Sequence, residues 1–467
     1  MNVVINERQL QRSVLMVTAI THFISPMMLS SVNIALPMIQ REFSIDAVLL
    51  SWIATSYILS TVIVLLPIGK IGDIYGRKLI FFLGVCLFTL SSFISGFANS
   101  PALLIGCRVL QGIAGAMLTT TAMAIVVSVF PPNQRGRAIG ILVSAVYLGL
   151  ASGPFIGGIL TQHWGWRSIF WVNVPFGLIM IFLTLRYIQD EWIDAAGQKF
   201  DVKGALLYGI SLIALVYGAS RLQQDKLIVD ALVLIGFGIV GCVVFIIHEL
   251  NVTDPIVEVR LFQQNRVFAF SSLAALINYA ATYAITFLLS LYFQYLKDLT
   301  PQAAGALLMT QPLIQAMLSP IAGRLSDRFE PSIIASIGMG ITVIGLILML
   351  FITSHTPLVY MLCLLVLLGI GFGLFSSPNM NAIMGAVPKT HYGLASGIVA
   401  GMRLLGQMFS MAIATVTFSI YLGKKTISPD IYPMLLKSIH VDFIIFCCLC
   451  VFGIFFSIYR GKLRIGL

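Results

Sequence analysis

The sequence is poor in charge: Asp, Glu, Lys and Arg make up only 10% of its 467 residues, against about a quarter in soluble domains. Hydrophobic residues make up 58%, and the mean hydropathy is +0.97. So few charges cannot cover the surface of a soluble chain of this size, which excludes a water-soluble protein. Long polar stretches are missing too. The longest segments between apolar runs, near 188–203, 249–266 and 422–438, are too short to fold a soluble domain. No Gly-x-x-x-x-Gly-Lys-Ser/Thr phosphate loop occurs, so nucleotide hydrolysis on this chain is not expected. The seven cysteines (Cys86, Cys107, Cys242, Cys363, Cys447, Cys448 and Cys450) all lie in apolar runs, placed for packing rather than for disulfides or metal. The first apolar run is too long for a cleavable signal and lacks a small-residue cleavage site. The net charge of +10 comes from single bases scattered between apolar runs, which excludes a nucleic-acid patch.

What is abundant is bilayer-length hydrophobicity. Apolar runs recur near 13–38, 47–68, 79–98, 101–127, 138–160, 168–187, 204–221, 227–248, 267–294, 303–322, 332–353, 357–378, 394–421 and 439–459. A spanning helix needs about 20 apolar residues, so the expectation is an all-α, polytopic membrane protein with fourteen transmembrane helices. An even count places both termini on one side. Of the 28 bases, eighteen then fall in loops and helix ends on that side, eight on the other, and Arg108 and Arg403 inside helices. This bias favours a multi-pass protein with both termini in the cytoplasm.

A repeat is visible. The run Gly69-Lys70-Ile71-Gly72-Asp73-Ile74-Tyr75-Gly76-Arg77-Lys78 follows the second span, and Gly323-Arg324-Leu325-Ser326-Asp327-Arg328-Phe329 follows the tenth. Both read Gly, base, x, small, Asp, so six helices precede and six follow an inserted pair. The expected organisation is a six-helix bundle over 1–187, a linker with two additional spans over 188–262, and a second six-helix bundle over 263–467. Repeated halves are typical of secondary transporters, whose substrate site lies between them.

These stretches resemble the motif-A turn of the major facilitator superfamily and its degenerate copy. Arg108-x-x-Gln111-Gly112-x-x-Gly115-Ala116 is similar to motif B, and Gly149-x-x-x-Gly153-Pro154-x-x-Gly157-Gly158 to motif C, which marks antiporters. The helix count and Trp166-Arg167-x-x-Phe170-x-x-Asn173-x-Pro175 resemble the fourteen-span drug:proton antiporter branch. The resemblance covers essentially the whole chain. It implies a proton-coupled exporter of amphipathic small molecules, not an enzyme, with no cofactor and no metal. Its partners would be substrate, protons and the bilayer of the inner membrane, and it would act as a monomer or with accessory export proteins.

The residues support that reading physically. Asp73 and Arg77 are four apart and can pair; with Gly69, Gly76 and Asp327 they are the expected conformational gate, the glycines allowing a tight loop. An arginine at a helix centre costs about 2.5–3.5 kcal/mol on insertion scales, which points to a paired or functional Arg108. By resemblance Arg108 and Gln111 belong to proton coupling; arginine does not release its proton, so it tunes a partner. Gly149, Gly153 and Gly157 form a groove for a close helix, Pro154 bends the span, and Gly158 completes the antiporter motif.

The pattern departs in the first span. Ser30-Ser31-Val32-Asn33-Ile34-Ala35-Leu36-Pro37 resembles the branch signature, but Met28 stands where an aspartate is usual. No acid falls convincingly mid-membrane; Asp230 and Asp442 are expected within the first turn or so of their helices. Either His22, a residue type whose unperturbed side chain titrates near neutrality, has taken the proton-carrying role, or the cavity is electropositive and the protein is a dedicated exporter of one anionic or neutral metabolite. Asn33, Tyr57, Tyr147, Asn278, Gln311, Gln315 and Arg403 are the expected cavity-lining residues.

Overall fold

The computed structural model describes residues 7–195, 197–221, 228–387, 392–423 and 425–461, and among them it is helical with no strand. Lys226, Lys389, Lys424, Lys462 and Arg464, which contribute to the charge bias, lie outside the described residues. The first half holds α1 (Glu7–Phe43), α2 (Ala47–Tyr75), α3 (Arg77–Ser95), α4 (Pro101–Val129), α5 (Pro132–Trp164), and the pair α6 (Ser168–Trp171) and α7 (Asn173–Tyr187). Next come α8 (Val202–Ser220), α9 (Ile228–Asn251) and the short α10 (Arg260–Gln264). The second half holds α11 (Arg266–Thr282), α12 (Ala284–Leu291), α13 (Pro301–Leu308), α14 (Thr310–Arg328), α15 (Pro331–Met349), α16 (Leu358–Gly385), α17 (Tyr392–Tyr421) and α18 (Tyr432–Tyr459).

Helix starts follow local chemistry. Asp46, Ser100, Asp201 and Thr300 each cap the helix that follows by accepting from a backbone N–H three residues on. Proline occupies a first-turn position of α4, α5, α13 and α15, where a missing N–H costs nothing.

Thirteen segments are long and apolar enough to cross a bilayer, which makes this a multi-pass membrane protein. The expected run at 303–322 is not among them. It is divided at Met309 into α13 and α14, the latter weakened by polar residues and Pro320. The ninth span also divides, at Tyr283, where the N–H of Ala284 goes to Ser410 Oγ at 2.9 Å on α17.

Successive spans alternate direction between two ends, named here by Gly76 and by Asp46. In the first half α1 packs on α5, and α4 on α2 and α3; in the second, α16 packs on α14 and α15, and α18 on α11 and α15. The glycine row of α5 makes the α1 contact close. A Cβ at Gly153 would fall 2.6 Å from the Met27 carbonyl and one at Gly157 2.7 Å from Ser31 Cβ, while Ser31 Oγ donates to the Gly153 carbonyl at 2.8 Å.

The halves join toward the Asp46 end. Ser290 Oγ donates to the Asn33 carbonyl at 2.7 Å, Gln294 Nε2 to the Ile34 carbonyl at 2.9 Å, and Tyr295 Oη to Gln40. Ser51 and Thr415 hydroxyls meet at 3.1 Å. Gly158 and Gly305 complete the seam. A Cβ on Gly158 would lie 2.5 Å from the Pro301 carbonyl, and one on Gly305 would strike the Pro154 carbonyl.

Candidate functional site

Three groups of expected site residues can be placed. The first is at the Gly76 end. The stretch 69–78 is not a loop: Gly69 sits inside α2 with open space where a Cβ would be, and the turn is made by Gly76 alone, at φ +123°. Arg77 Nε donates to Asp73 Oδ1 at 2.8 Å, and its Nη1 donates to Ser128 Oγ at 2.8 Å. Its Nη2 lies 2.7 Å from Asp73 and 2.6 Å from Asp194. Asp73 and Arg77 are therefore brought together as expected.

The segment after α7 wraps this turn. Arg77 N–H donates to the Trp192 carbonyl at 3.1 Å, and Ala195 N–H to the Asp73 carbonyl at 2.9 Å. Glu191 accepts from Lys78 N–H at 2.7 Å and Leu79 N–H at 3.1 Å, capping the start of α3 where orphan donors and the helix dipole favour a carboxylate. Lys70 Nζ donates to Gln198 Oε1 at 2.6 Å. Sequence reasoning missed this strap, although Asp190, Glu191 and Asp194 offer acids beside a basic turn. Gly323 likewise lies inside α14, and Asp327 is exposed in its last turn, apart from the Arg77 cluster. There Asn381 Nδ2 donates to Ser326 Oγ at 2.6 Å and ties α16 to α14.

The second group surrounds Arg108, whose side chain is fully buried at 0% exposure. Its Nε donates to the Ile53 carbonyl at 3.2 Å, its Nη1 to Gln111 Oε1 at 2.9 Å, and its guanidinium lies 4.4 Å from the centroid of the Tyr57 ring. Gln111 Nε2 in turn reaches Ser92 and Ser95 hydroxyls, each at 3.2 Å. Among the described residues Arg108 Nη2 has no hydrogen-bond partner, and neither does the buried hydroxyl of Tyr283 from the opposite half, with which Arg108 interacts electrostatically. The small residues beside Arg108 are needed here: a Cβ on Gly115 would stand 2.7 Å from Tyr57 Oη. Tyr283 escaped the sequence reading because nothing in the local spacing links it to Arg108, which lies on a distant helix.

The third group lies between the halves. His22 is 7% exposed, and its Nδ1 donates to the Thr18 carbonyl at 2.8 Å, so Nε2 is left as the free nitrogen. It interacts electrostatically with Arg403 of α17, which also acts on Tyr279, itself coupled to Tyr147. Tyr147 Oη donates to Ser376 Oγ at 3.3 Å across the halves. The other expected cavity residues do not all join this group. Asn33 is at the seam, 3% exposed; Asn278 is buried with an unpartnered Nδ2; Gln311 and Gln315 meet only each other, at 3.4 Å.

Asp442 is placed differently from expectation. The final helix begins at Tyr432 rather than near 439, so Asp442 is several turns inside α18 and fully buried. Asp230 is exposed in the first turn of α9, as expected. No group of His, Cys, Asp and Glu among the described residues could hold a metal.

The sequence is 32% identical over 414 residues to a riboflavin transporter of Clostridioides difficile, covering 88% of each chain. It is 32% identical over 402 residues to a multidrug resistance protein of Mycobacterium tuberculosis, covering 86% of this chain and 74% of that one. A drug efflux pump of the same organism is 28% identical, with 93% and 86% covered. A solved bacterial homolog of the human lysosomal transporter Spinster, inward-facing and unoccupied, shares the fold with a TM-score of 0.68 at 16% identity over 97% of both chains. The family profile matches residues 18–260 and 271–463. The chain thus belongs to the Major Facilitator Superfamily, a family of membrane transporters.

Proposed function

We propose that the protein is a proton-coupled antiporter that exports amphipathic small molecules by alternating access. Residues 1–187 and 263–467 are then the two moving bundles, and 188–262 is a linker carrying two further spans. The Gly76 end is cytoplasmic, in keeping with the lysine and arginine bias, so the seam at the Asp46 end closes the path to the outside. The observation that carries the reading is the group formed by His22 and Tyr147 from one half and Tyr279 and Arg403 from the other, since a site shared by both halves is remade whenever they rock. Relatives named for multidrug resistance and drug efflux support the export direction.

A proton entering from outside supplies about 2.3 kcal/mol for each charge moved across 100 mV. The neutral Nε2 of His22 accepts it beside Arg403, and the new positive charge disfavours the bound substrate pose. Arg108 and Gln111 hold the α2–α4 wall and keep a guanidinium N–H available to the opposite half. Asp73, Arg77 and the strap bias the resting conformation.

A second reading, dedicated export of one anionic or neutral metabolite, is favoured by a specific observation. The ionisable groups gathered between the halves are basic or phenolic, and Met28 replaces the usual first-helix carboxylate. Kinship to a riboflavin transporter agrees with it. Proteoliposomes given a proton gradient and loaded separately with cationic ethidium, acidic fluorescein or neutral riboflavin separate the two readings. Proton-driven movement of several dyes supports the first, and movement of fluorescein or riboflavin alone the second. The pH-jump response should fall in His22→Ala. Unchanged transport after uncouplers collapse the gradients would overturn both.

A further inference from the structure

Asp442 is a buried acid that the scheme above does not use. It lies ten residues past the start of α18, about 15 Å along the axis at 1.5 Å per residue. Its side chain is 0% exposed. An ionised carboxylate in such a place needs a cationic partner or a full set of donors. The described residues give it neither. Its partner is Thr417 of α17, whose Oγ1 lies 2.8 and 2.9 Å from the two carboxyl oxygens.

The neighbouring charged and titratable groups are engaged elsewhere. On α18 itself, Lys437 Nζ sits 5.5 Å from the centroid of the Tyr421 ring, and His440 Nε2 donates to the Ile352 carbonyl at 2.9 Å. On α17 the base is Arg403, fourteen residues before Thr417, about 21 Å along the helix axis. The titratable residues of α11 are Arg266, at its far end, and Tyr279; α15 carries none. Tyr295 reaches Gln40, and Arg221 of the loop after α8 lies over Tyr217.

Hydrogen counting then decides the protonation. Thr417 Oγ1 has one hydrogen and stands 3.0 Å from the Ala414 carbonyl as well as near both Asp442 oxygens. With Asp442 ionised, that single hydrogen must serve a carboxylate whose other lone pairs stay bare in an apolar interior. With Asp442 protonated, its O–H donates to Thr417 Oγ1 and Thr417 donates to the Ala414 carbonyl, so every hydrogen has an acceptor.

We propose that Asp442 and Thr417 form a second proton-binding site, loaded in this conformation and coupled to the outer seam through α17. Thr415, two residues earlier and on the opposite face of the same helix, makes the contact with Ser51 that joins α17 to α2 across the halves. Removing the proton turns Thr417 toward the carboxylate, frees the Ala414 carbonyl, and so disturbs the segment of α17 that carries the seam. Thr417 also borders an open, wholly apolar groove lined by Leu276, Ile413, Ile445 and Leu449, so this stretch of α17 is not packed on every side. The coupling role rests on the antiporter reading, whereas the loaded carboxyl does not.

The test has two readouts on the full chain in lipid vesicles. Infrared difference spectra at neutral pH should show a protonated-carboxyl C=O band that disappears in Asp442→Asn and shifts in Thr417→Val. Identical bands in native and Asp442→Asn protein overturn the loaded carboxyl, whatever the chain transports. Gradient-driven movement of whichever of ethidium, fluorescein or riboflavin the native chain carries should fall about tenfold in Asp442→Asn. It should recover in Asp442→Glu, with exchange of the same dye at uniform pH kept within about twofold. Loss of the band with full gradient-driven transport overturns the coupling role. Absence of gradient-driven transport by the native chain overturns both that role and the antiporter reading, leaving the loaded carboxyl to the spectra.

Discussion

Arg77 Nη2 stands 2.6 Å from Asp194 Oδ2, across the gap between the α2–α3 turn and the segment that follows α7. The same guanidinium holds Asp73, so one side chain joins the turn to its strap. A motif that in sequence looks self-contained is completed by residues more than a hundred positions later.

Asp194 is largely exposed, so replacing it should cost little stability, less than about 1 kcal/mol. Its effect should be on conformation. Asp194→Ala is expected to loosen the turn and move the population away from the state closed at the Asp46 end. Distances between paired spin labels at the two ends check this; an unaltered distribution would remove the strap from any gating role.

Substitution in the seam should act on closure. Gly305→Val places its Cβ against the Pro154 carbonyl, and Gly158→Val against Pro301. Both variants should insert and fold, because the clash is between halves rather than within one. They should fail to seal, seen as faster collapse of an imposed proton gradient in empty proteoliposomes than with native protein.

For Arg108, charge alone should not be enough. Lysine keeps the charge but cannot reach Ile53, Gln111 and the Tyr57 face together, so Arg108→Lys and Arg108→Ala should both lower transport by about tenfold or more. Gln111→Ala should fall less, since the Ile53 and Tyr57 contacts survive. Transport rates normalised to protein in the membrane decide the order, and full activity in Arg108→Lys would contradict the geometry.

A stability change is expected at the opposite corner. Trp166 Nε1 donates to Glu42 at 2.7 Å, while Arg167 grips the same carboxylate at 2.9 and 2.6 Å. Trp166→Phe keeps the packing on Phe43 and Phe170 but loses the charged hydrogen bond, worth about 1–3 kcal/mol. A lower thermal midpoint in detergent, with transport by the remaining folded protein preserved, is the outcome to look for.

Span positions and the pairing of Asp73 with Arg77 were legible because both depend on local spacing, a hydrophobic length in one case and four residues in the other. The glycine row of α5 was legible for the same reason. The partners of those residues were not. Tyr283 acts on Arg108 electrostatically from another part of the chain, and it sits where the ninth span divides, beside the Ala284 N–H that Ser410 on a distant helix accepts. Asp442 was misplaced because the last helix starts earlier than its apolar run, at Tyr432 with Pro433 in its first turn. The glycines at 69 and 323 read as loop residues, yet each lies within a helix; at 323 small size matters, since a Cβ would stand 2.8 Å from Ser377 Oγ, whereas at 69 a Cβ would meet open space.

The capture of Ala284 N–H by Ser410 has a mechanical consequence. The ninth span is an articulated strut: its upper piece is tied to α1 through Ser290 and Gln294, while its lower piece lies along α17. Under the proposed alternating-access scheme, flexing at Tyr283 lets the lower piece swing with α17 while the upper piece stays moored, so the Gly76 end opens while the seam holds.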